Sequence, residues 1–174
     1  QIVSCQDLPE GDLYGEYGYM FTPQSGDVFE DNNFGNNDMV GCTLTQGYWK
    51  THSKYGPAPM DETGGWANLC EEVDGELICG ADVPFLSTGF SWYEMFQIPP
   101  AGGNAYVILA HQYMAAYLNS IKDADPATPP AELMADAKAL LEDYATNYGD
   151  RTYDDKPVPY IPEGDDRAMA ITIA

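Results

Sequence analysis

The stretch from Ala105 to Ile121 constrains this chain more than any other. Asn104, just after the Gly102-Gly103 pair, offers a side-chain oxygen to the first free amides, so the spacing predicts a helix capped by Asn104. Tyr106, Val107, Ile108, Leu109, Tyr113, Met114, Tyr117, Leu118 and Ile121 cover almost its whole circumference. Only His111, Gln112, Asn119 and Ser120 leave a narrow polar stripe. A helix apolar nearly all round has to be central, with other elements packed on most sides of it.

The rest of the sequence must supply that shell. Leu133, Met134, Ala137, Leu140, Leu141 and Tyr144 recur at helical spacing, which predicts a second, amphipathic helix over about 130–146. It opens at Thr128-Pro129-Pro130 with Thr128 as cap and closes before Gly149. Ser91-Trp92-Tyr93-Glu94 is a capping box, and its short helix turns Trp92, Met95 and Phe96 inward and stops before Pro99-Pro100. Thr45 caps a two-turn helix that runs to His52. Residues 1–41 read as an arm of strands and loops, with Ile2-Val3 a short β-type start and 24–41 a polar surface loop. From Asp150 onward the chain reads as an extended tail rich in proline. Its last residues, 168–174, alternate small side chains with Met169, Ile171 and Ile173, which predicts a strand with one buried face.

Cys70 to Cys79 carries the strongest hairpin signal, Asp74-Gly75 at its centre. With those two residues as the turn, Val73 faces Glu76, Glu72 faces Leu77, Glu71 faces Ile78 and Cys70 faces Cys79. A non-hydrogen-bonded pair at that site puts the Cα atoms about 4.5 Å apart, within disulfide reach. Cys5 and Cys42 are left for each other, closing a loop of about 37 residues that restrains the unfolded chain by roughly 3–4 kcal/mol. The alternative is four reduced, buried cysteines. Two disulfides, no C-x-x-C spacing and a start at Gln1 rather than Met lead us to expect a secreted protein, extracellular or on a cell surface.

Charge removes several partners. With 28 acidic and 7 basic residues the formal charge is −21, which repels nucleic acid and anionic membranes. No apolar run is long enough to span a bilayer. The 44% hydrophobic and 13% aromatic content is enough to build a core, so the chain should fold.

Two blocks carry a resemblance. Cys42-Thr43-Leu44-Thr45-Gln46-Gly47-Tyr48-Trp49-Lys50-Thr51-His52 resembles the C-T-x-T-Q-G-Y-W-K-x-H signature of a module found in secreted bacterial and archaeal proteins. Gly102-Gly103-Asn104-Ala105-Tyr106 through Asn119 is similar to the second block of that module. The likeness covers about residues 42–146. It implies a secreted module, some of whose look-alikes belong to cell-surface or matrix sets, and it implies no catalytic residue.

His52 and His111, one in each block, are the only histidines. Joined with a carboxylate they could form a metal site, but there is no H-E-x-x-H and no i, i+4 pair. The plainer reading makes His111 a hydrogen-bonded interior group and His52 a contact near the end of its own helix. No G-x-S-x-G, phosphate loop or unpaired cysteine is present, so we do not read the chain as an enzyme, and no catalytic residue is assigned. Among so many carboxylates a glycosidase-like pair cannot be singled out. Asp27, Glu30, Asp31, Asn33 and Asp38 offer oxygen ligands suited to calcium, outside EF-hand spacing. Asp150, Asp154, Asp155, Glu163, Asp165 and Asp166 form a second acidic group. The competing explanation for both is a solvated acidic surface. Trp66, in the Gly64-Gly65-Trp66 loop, is the one tryptophan without an assigned core position and thus a candidate platform for a glycan.

The fold expected is α+β: a small, sandwich-like antiparallel sheet, the central helix at about 105–121, the amphipathic helix at about 130–146, and disulfide staples, in one secreted domain. The function expected is a structural subunit of an extracellular filament or surface assembly that binds copies of itself. Met169, Ile171, Ile173, Ile2 and Val3 would be its assembly strands, completing a neighbour's sheet edge. The alternative is a monomeric calcium- or glycan-binding module.

Overall fold

The computed structural model describes residues 43–122 and 130–174. They form an α+β unit built on helix α4, Ala105–Ile121. The other five helices of the described residues are α1 (Gln46–Thr51), α2 (Gly65–Asn68), α3 (Trp92–Gln97), α5 (Ala131–Asp143) and α6 (Asp165–Ile173). Each packs against α4. The circumferential apolar pattern thus finds the shell it requires: Tyr106, Val107, Leu109, Met114 and Leu118 are all buried. Asn104 caps α4 as expected, its side chain accepting from the amides of Tyr106 and Val107.

The caps of the small helices follow the sequence. The Thr45 hydroxyl accepts from the Tyr48 amide, and Ser91 with Glu94 closes a reciprocal box on α3 that buries Trp92, Met95 and Phe96. Helix α5 ends at Asp143, earlier than expected, and Gly149 lies in a strand instead of stopping the helix. Thr128 falls outside the described residues, as do Cys5, Cys42, Ile2, Val3, Asp27, Glu30, Asp31, Asn33 and Asp38.

The sheet content is two separate two-stranded hairpins rather than one small sheet. Strands β1 (Cys70–Val73) and β2 (Glu76–Cys79) pair in the register read from the sequence, through Cys70↔Cys79. Asp74 and Gly75 both take positive φ, 52° and 83°, as a two-residue turn of this hand requires. The Cys70–Cys79 disulfide closes the hairpin with a Cα separation of 4.1 Å. An isolated two-stranded ribbon is marginal in water, and this one is largely exposed, so the cross-link is what holds it.

The second hairpin corrects the reading of an extended tail. Strands β3 (Tyr148–Tyr153) and β4 (Lys156–Pro159) pair antiparallel around Asp154-Asp155, both at positive φ. Aspartate enters the left-handed region more readily than most residues, which lets two of them replace the usual glycine-containing turn. The prolines of β4 are tolerated because it is an edge strand. Its end is anchored, with Val158 and Ile161 fully buried.

The expected strand at 168–174 is likewise corrected: these residues lie in and just beyond helix α6. Ala168 and Ala170 favour a helix, and Asp165 and Asp166 in the first turn complement its dipole. Ala170 is fully buried, whereas Met169 and Ile171 remain 44% and 54% exposed.

Candidate functional site

Helix α1 and the loop after it gather most of the chemistry-bearing residues of the first block. Tyr48 stacks on the His52 ring (centroids 3.9 Å, 13°) and donates from its hydroxyl to Asp61 Oδ1 at 2.7 Å. The other oxygen, Asp61 Oδ2, accepts from the Thr63 hydroxyl at 2.7 Å. Asp61 is buried, and the Asp61 amide donates to the His52 carbonyl. Lys122, at the end of α4, is buried too; burial pulls its ammonium below the usual lysine range and the Asp61 charge opposes that. Tyr48, Asp61, Thr63 and Lys122 thus form a polar cluster where α1 meets the end of α4.

The hydroxyl nearest His52 is that of Thr51, 3.0 Å from Nδ1. A hydroxyl beside an imidazole is the elementary nucleophile–base arrangement. Thr51 Oγ1, however, donates back to main-chain carbonyls of its own helix, Gly47 at 2.9 Å or Tyr48 at 3.1 Å. His52 Nδ1 also lies 2.9 Å from the Tyr48 carbonyl. Both groups are therefore bound to the end of α1, and what the arrangement does is terminate that helix and fix the following loop.

His111 is buried in the second block, with Nε2 donating to the Met95 carbonyl at 2.9 Å and its ring against Phe96. It ties α4 to α3. Burial holds its pKa below the ordinary value of 6.5, and the nearby Lys50 charge acts in the same direction. The folded protein keeps His111 neutral while the unfolded chain takes a proton near pH 6.5, so stability is complete above that pH. It falls as the pH drops from about 6.5 toward the folded-state pKa, by up to about 1.4 kcal/mol per unit. Denaturant midpoints between pH 8 and 5.5 should show this slope, and the substitution His111→Leu should remove it.

Two asparagines of the second block work as clamps. Asn119 accepts from the Leu44 amide (2.9 Å) and donates to the Leu44 carbonyl (2.8 Å), so it pairs with the segment entering α1 as a strand would. Asn104 donates to the Pro159 carbonyl at 2.9 Å while its oxygen caps α4. The sequence marked Asn104 as the helix cap and Asn119 as part of the polar stripe; their partners, 55 and 75 residues away, left no local signal.

The remaining expectations separate. The Tyr144 hydroxyl donates to Asp166, and Glu163 pairs with Arg167. Asp154 and Asp155 sit at a hairpin turn and Asp150 on β3. Among the described residues no group of three or more His, Cys, Asp or Glu is placed to hold a metal ion. Trp66 is not a glycan platform: it is 1% exposed and donates from Nε1 to the Trp49 carbonyl at 3.1 Å. A different exposed ring emerges. Tyr55 is 53% exposed, tilted against Tyr93 (5.1 Å), and its hydroxyl donates to Asp82 Oδ1 at 2.7 Å while Lys54 bonds Asp82 Oδ2. Beside it Lys54, Met60, Cys79 and Ala81 border a depression of about 140 Å³. That is well short of the roughly 300 Å³ at which small-molecule pockets begin.

No protein-family model matches the chain, and neither the curated proteins nor the solved structures include a match to it.

Proposed function

We propose that the chain is a secreted structural subunit that assembles with copies of itself in an extracellular filament or surface layer. The observation that carries this reading is how the polar residues of the two signature blocks are used. Thr45, Thr51 and His52 bond within α1 and fix its ends, while Tyr48, Asn104, His111 and Asn119 tie separate segments together. Such a division of labour suits a subunit whose task is to keep its shape. The disulfide-stapled hairpin fits an oxidising compartment. Exposed Met169 and Ile171 offer apolar surface to a neighbour.

Charge sets the condition for assembly. Among the described residues at least four basic side chains, Lys54, Lys138, Lys156 and Arg167, sit in internal ion pairs, and with a formal charge of −21 copies meet with unneutralised acidic surfaces. The distance over which charges repel falls from about 10 Å at 0.1 M salt to about 3 Å at 1 M, and divalent cations would act in the same sense. Light scattering and negative-stain microscopy should therefore reveal ordered polymers at high salt with calcium, and fewer after chelation. Dispersed 19.1 kDa particles under every condition would defeat the proposal. They would leave the second reading, a monomeric glycan-binding module, which the exposed Tyr55 ring with Asp82 and Lys54 at its edge favours.

A further inference from the structure

We infer that Tyr55 is an oxidative coupling site, where one-electron oxidation joins its phenol ring to that of a tyrosine in a second copy. The inference rests on the self-assembly reading and gives it a covalent lock. It starts from the hydroxyls. Tyr48, Tyr55 and Tyr144 donate to carboxylates, those of Asp61, Asp82 and Asp166. A phenol that loses an electron becomes a strong acid, so an acceptor already bonded to its hydroxyl lets electron and proton leave together. Coupling through carbon also needs an open ring. Tyr48 is stacked on the His52 ring at 3.9 Å and Tyr144 is half-buried, whereas Tyr55 is 53% exposed. Tyr148 is exposed too, at 42%, but among the described residues no carboxylate accepts from its hydroxyl. Tyr55 combines the two requirements.

Its surroundings set how the oxidation runs. Asp82 Oδ1 lies 2.7 Å from the Tyr55 hydroxyl, and Oδ2 bonds Lys54. The Lys54 ammonium stands 4.9 Å from the Tyr55 ring centroid, where it opposes positive charge on the ring. The electron therefore leaves as the proton passes to Asp82, not before it. The bonds from Lys54 and Tyr55 hold the Asp82 carboxyl below the usual carboxylate range, yet the oxidised phenol is the stronger acid and still gives up its proton. Lys54 also neutralises Asp82, so at Tyr55 this −21 chain offers a second copy a place of reduced repulsion. Met60, 46% exposed, borders the same depression as Lys54 and adds apolar surface there.

The chemistry balances with an external oxidant, a haem peroxidase consuming hydrogen peroxide. Each phenol gives up an electron and its hydroxyl proton, and two phenoxyl radicals bond through the ring carbons beside the oxygens. The hydrogens on those carbons return to the oxygens and restore both phenols. For each bond formed, two electrons and two protons reduce one peroxide to two waters.

The test gives the full chain peroxidase, hydrogen peroxide and tyramine as a small phenol, and maps the labelled tyrosines by peptide mass spectrometry. In dispersed subunits Tyr55 should take roughly tenfold more label than Tyr148, a modest gain for a positioned base because water competes at an exposed site. Asp82→Asn keeps an oxygen at the hydroxyl but supplies no base, and should bring Tyr55 down to the level of Tyr148. Asp82→Glu should restore the preference. The ion pair these variants alter is exposed, so the fold and the labelling of Tyr148 should persist in both. In the polymerising buffer without tyramine, cross-linked peptides should carry Tyr55. Tyr55→Phe should remove them and leave light scattering before oxidation unchanged. Equal labelling of Tyr55 and Tyr148, a preference that survives Asp82→Asn, or polymers whose cross-links lack Tyr55 would overturn the coupling site and spare self-assembly. Absence of polymers in every buffer would overturn both.

Discussion

Replacing Asn119 by leucine is expected to lower stability by roughly 2–6 kcal/mol, although the new side chain suits an apolar helix. The loss arises at the partner. Asn119 is buried and satisfies both the amide and the carbonyl of Leu44, itself buried, at 2.9 and 2.8 Å. Leucine leaves two main-chain groups without partners, each costing about 1–3 kcal/mol. Asn119→Asp should fare no better: it keeps an acceptor for the amide, turns an oxygen toward the carbonyl and buries a charge. Urea midpoints at constant slope would measure the loss, and hydrogen exchange at the Leu44 amide would locate it. A loss under about 0.5 kcal/mol, the scale of ordinary surface changes, would mean that the segment before α1 is not held by this clamp.

Trp66→Ala is expected to cost about 3–5 kcal/mol, the range for removing a large buried aromatic. Its ring lies edge-on to Trp49 and Phe96, with centroids 6.4 and 6.0 Å away. The Trp49 carbonyl would lose the indole N–H as well. Gly65 shows how tightly this corner is closed, since a Cβ there would stand 2.3 Å from the Trp49 ring. Against a total stability of about 5–15 kcal/mol, the alanine variant should unfold well below the parent's melting temperature. Trp66→Phe keeps part of the packing but loses the hydrogen bond and the volume of the second ring, so it should cost about 1–3 kcal/mol, less than the alanine variant. Equal melting of the alanine variant and the parent would contradict the packing described.

Several interactions were readable because they are local and use the common turn and cap residues. The Cys70–Cys79 hairpin could be placed residue by residue because turn, register and cross-link lie within ten positions. The box of Ser91 and Glu94 acts over three. Helix α4 was also legible, because an uninterrupted apolar surface admits only a central position. The candidate site was half legible: both histidines stood out, and the plainer reading anticipated an interior, hydrogen-bonded His111 and a His52 contact at its own helix end, but not the Met95 carbonyl as partner. Asp61 and Lys122 did not stand out, since nothing in the sequence separates a buried charge from an exposed one.

The second hairpin and α6 mark where tertiary structure decided. Prolines at 157, 159 and 162 argue locally for an extended chain, yet the buried Val158 and Ile161 and the bond from Asn104 to Pro159 draw that stretch onto the core, where β3 pairs with β4. In α6, alternation argued for a strand and alanine for a helix; the contact of Ala170 with the core resolved the balance. By itself the sequence determined a central helix, its short capped neighbours and one stapled turn, because each rests on contacts within a few residues or on apolar surface that water rejects. Which distant main-chain groups Asn104 and Asn119 would satisfy, and which form residues 168–174 would take, depended on surfaces that exist only once the chain has closed around α4.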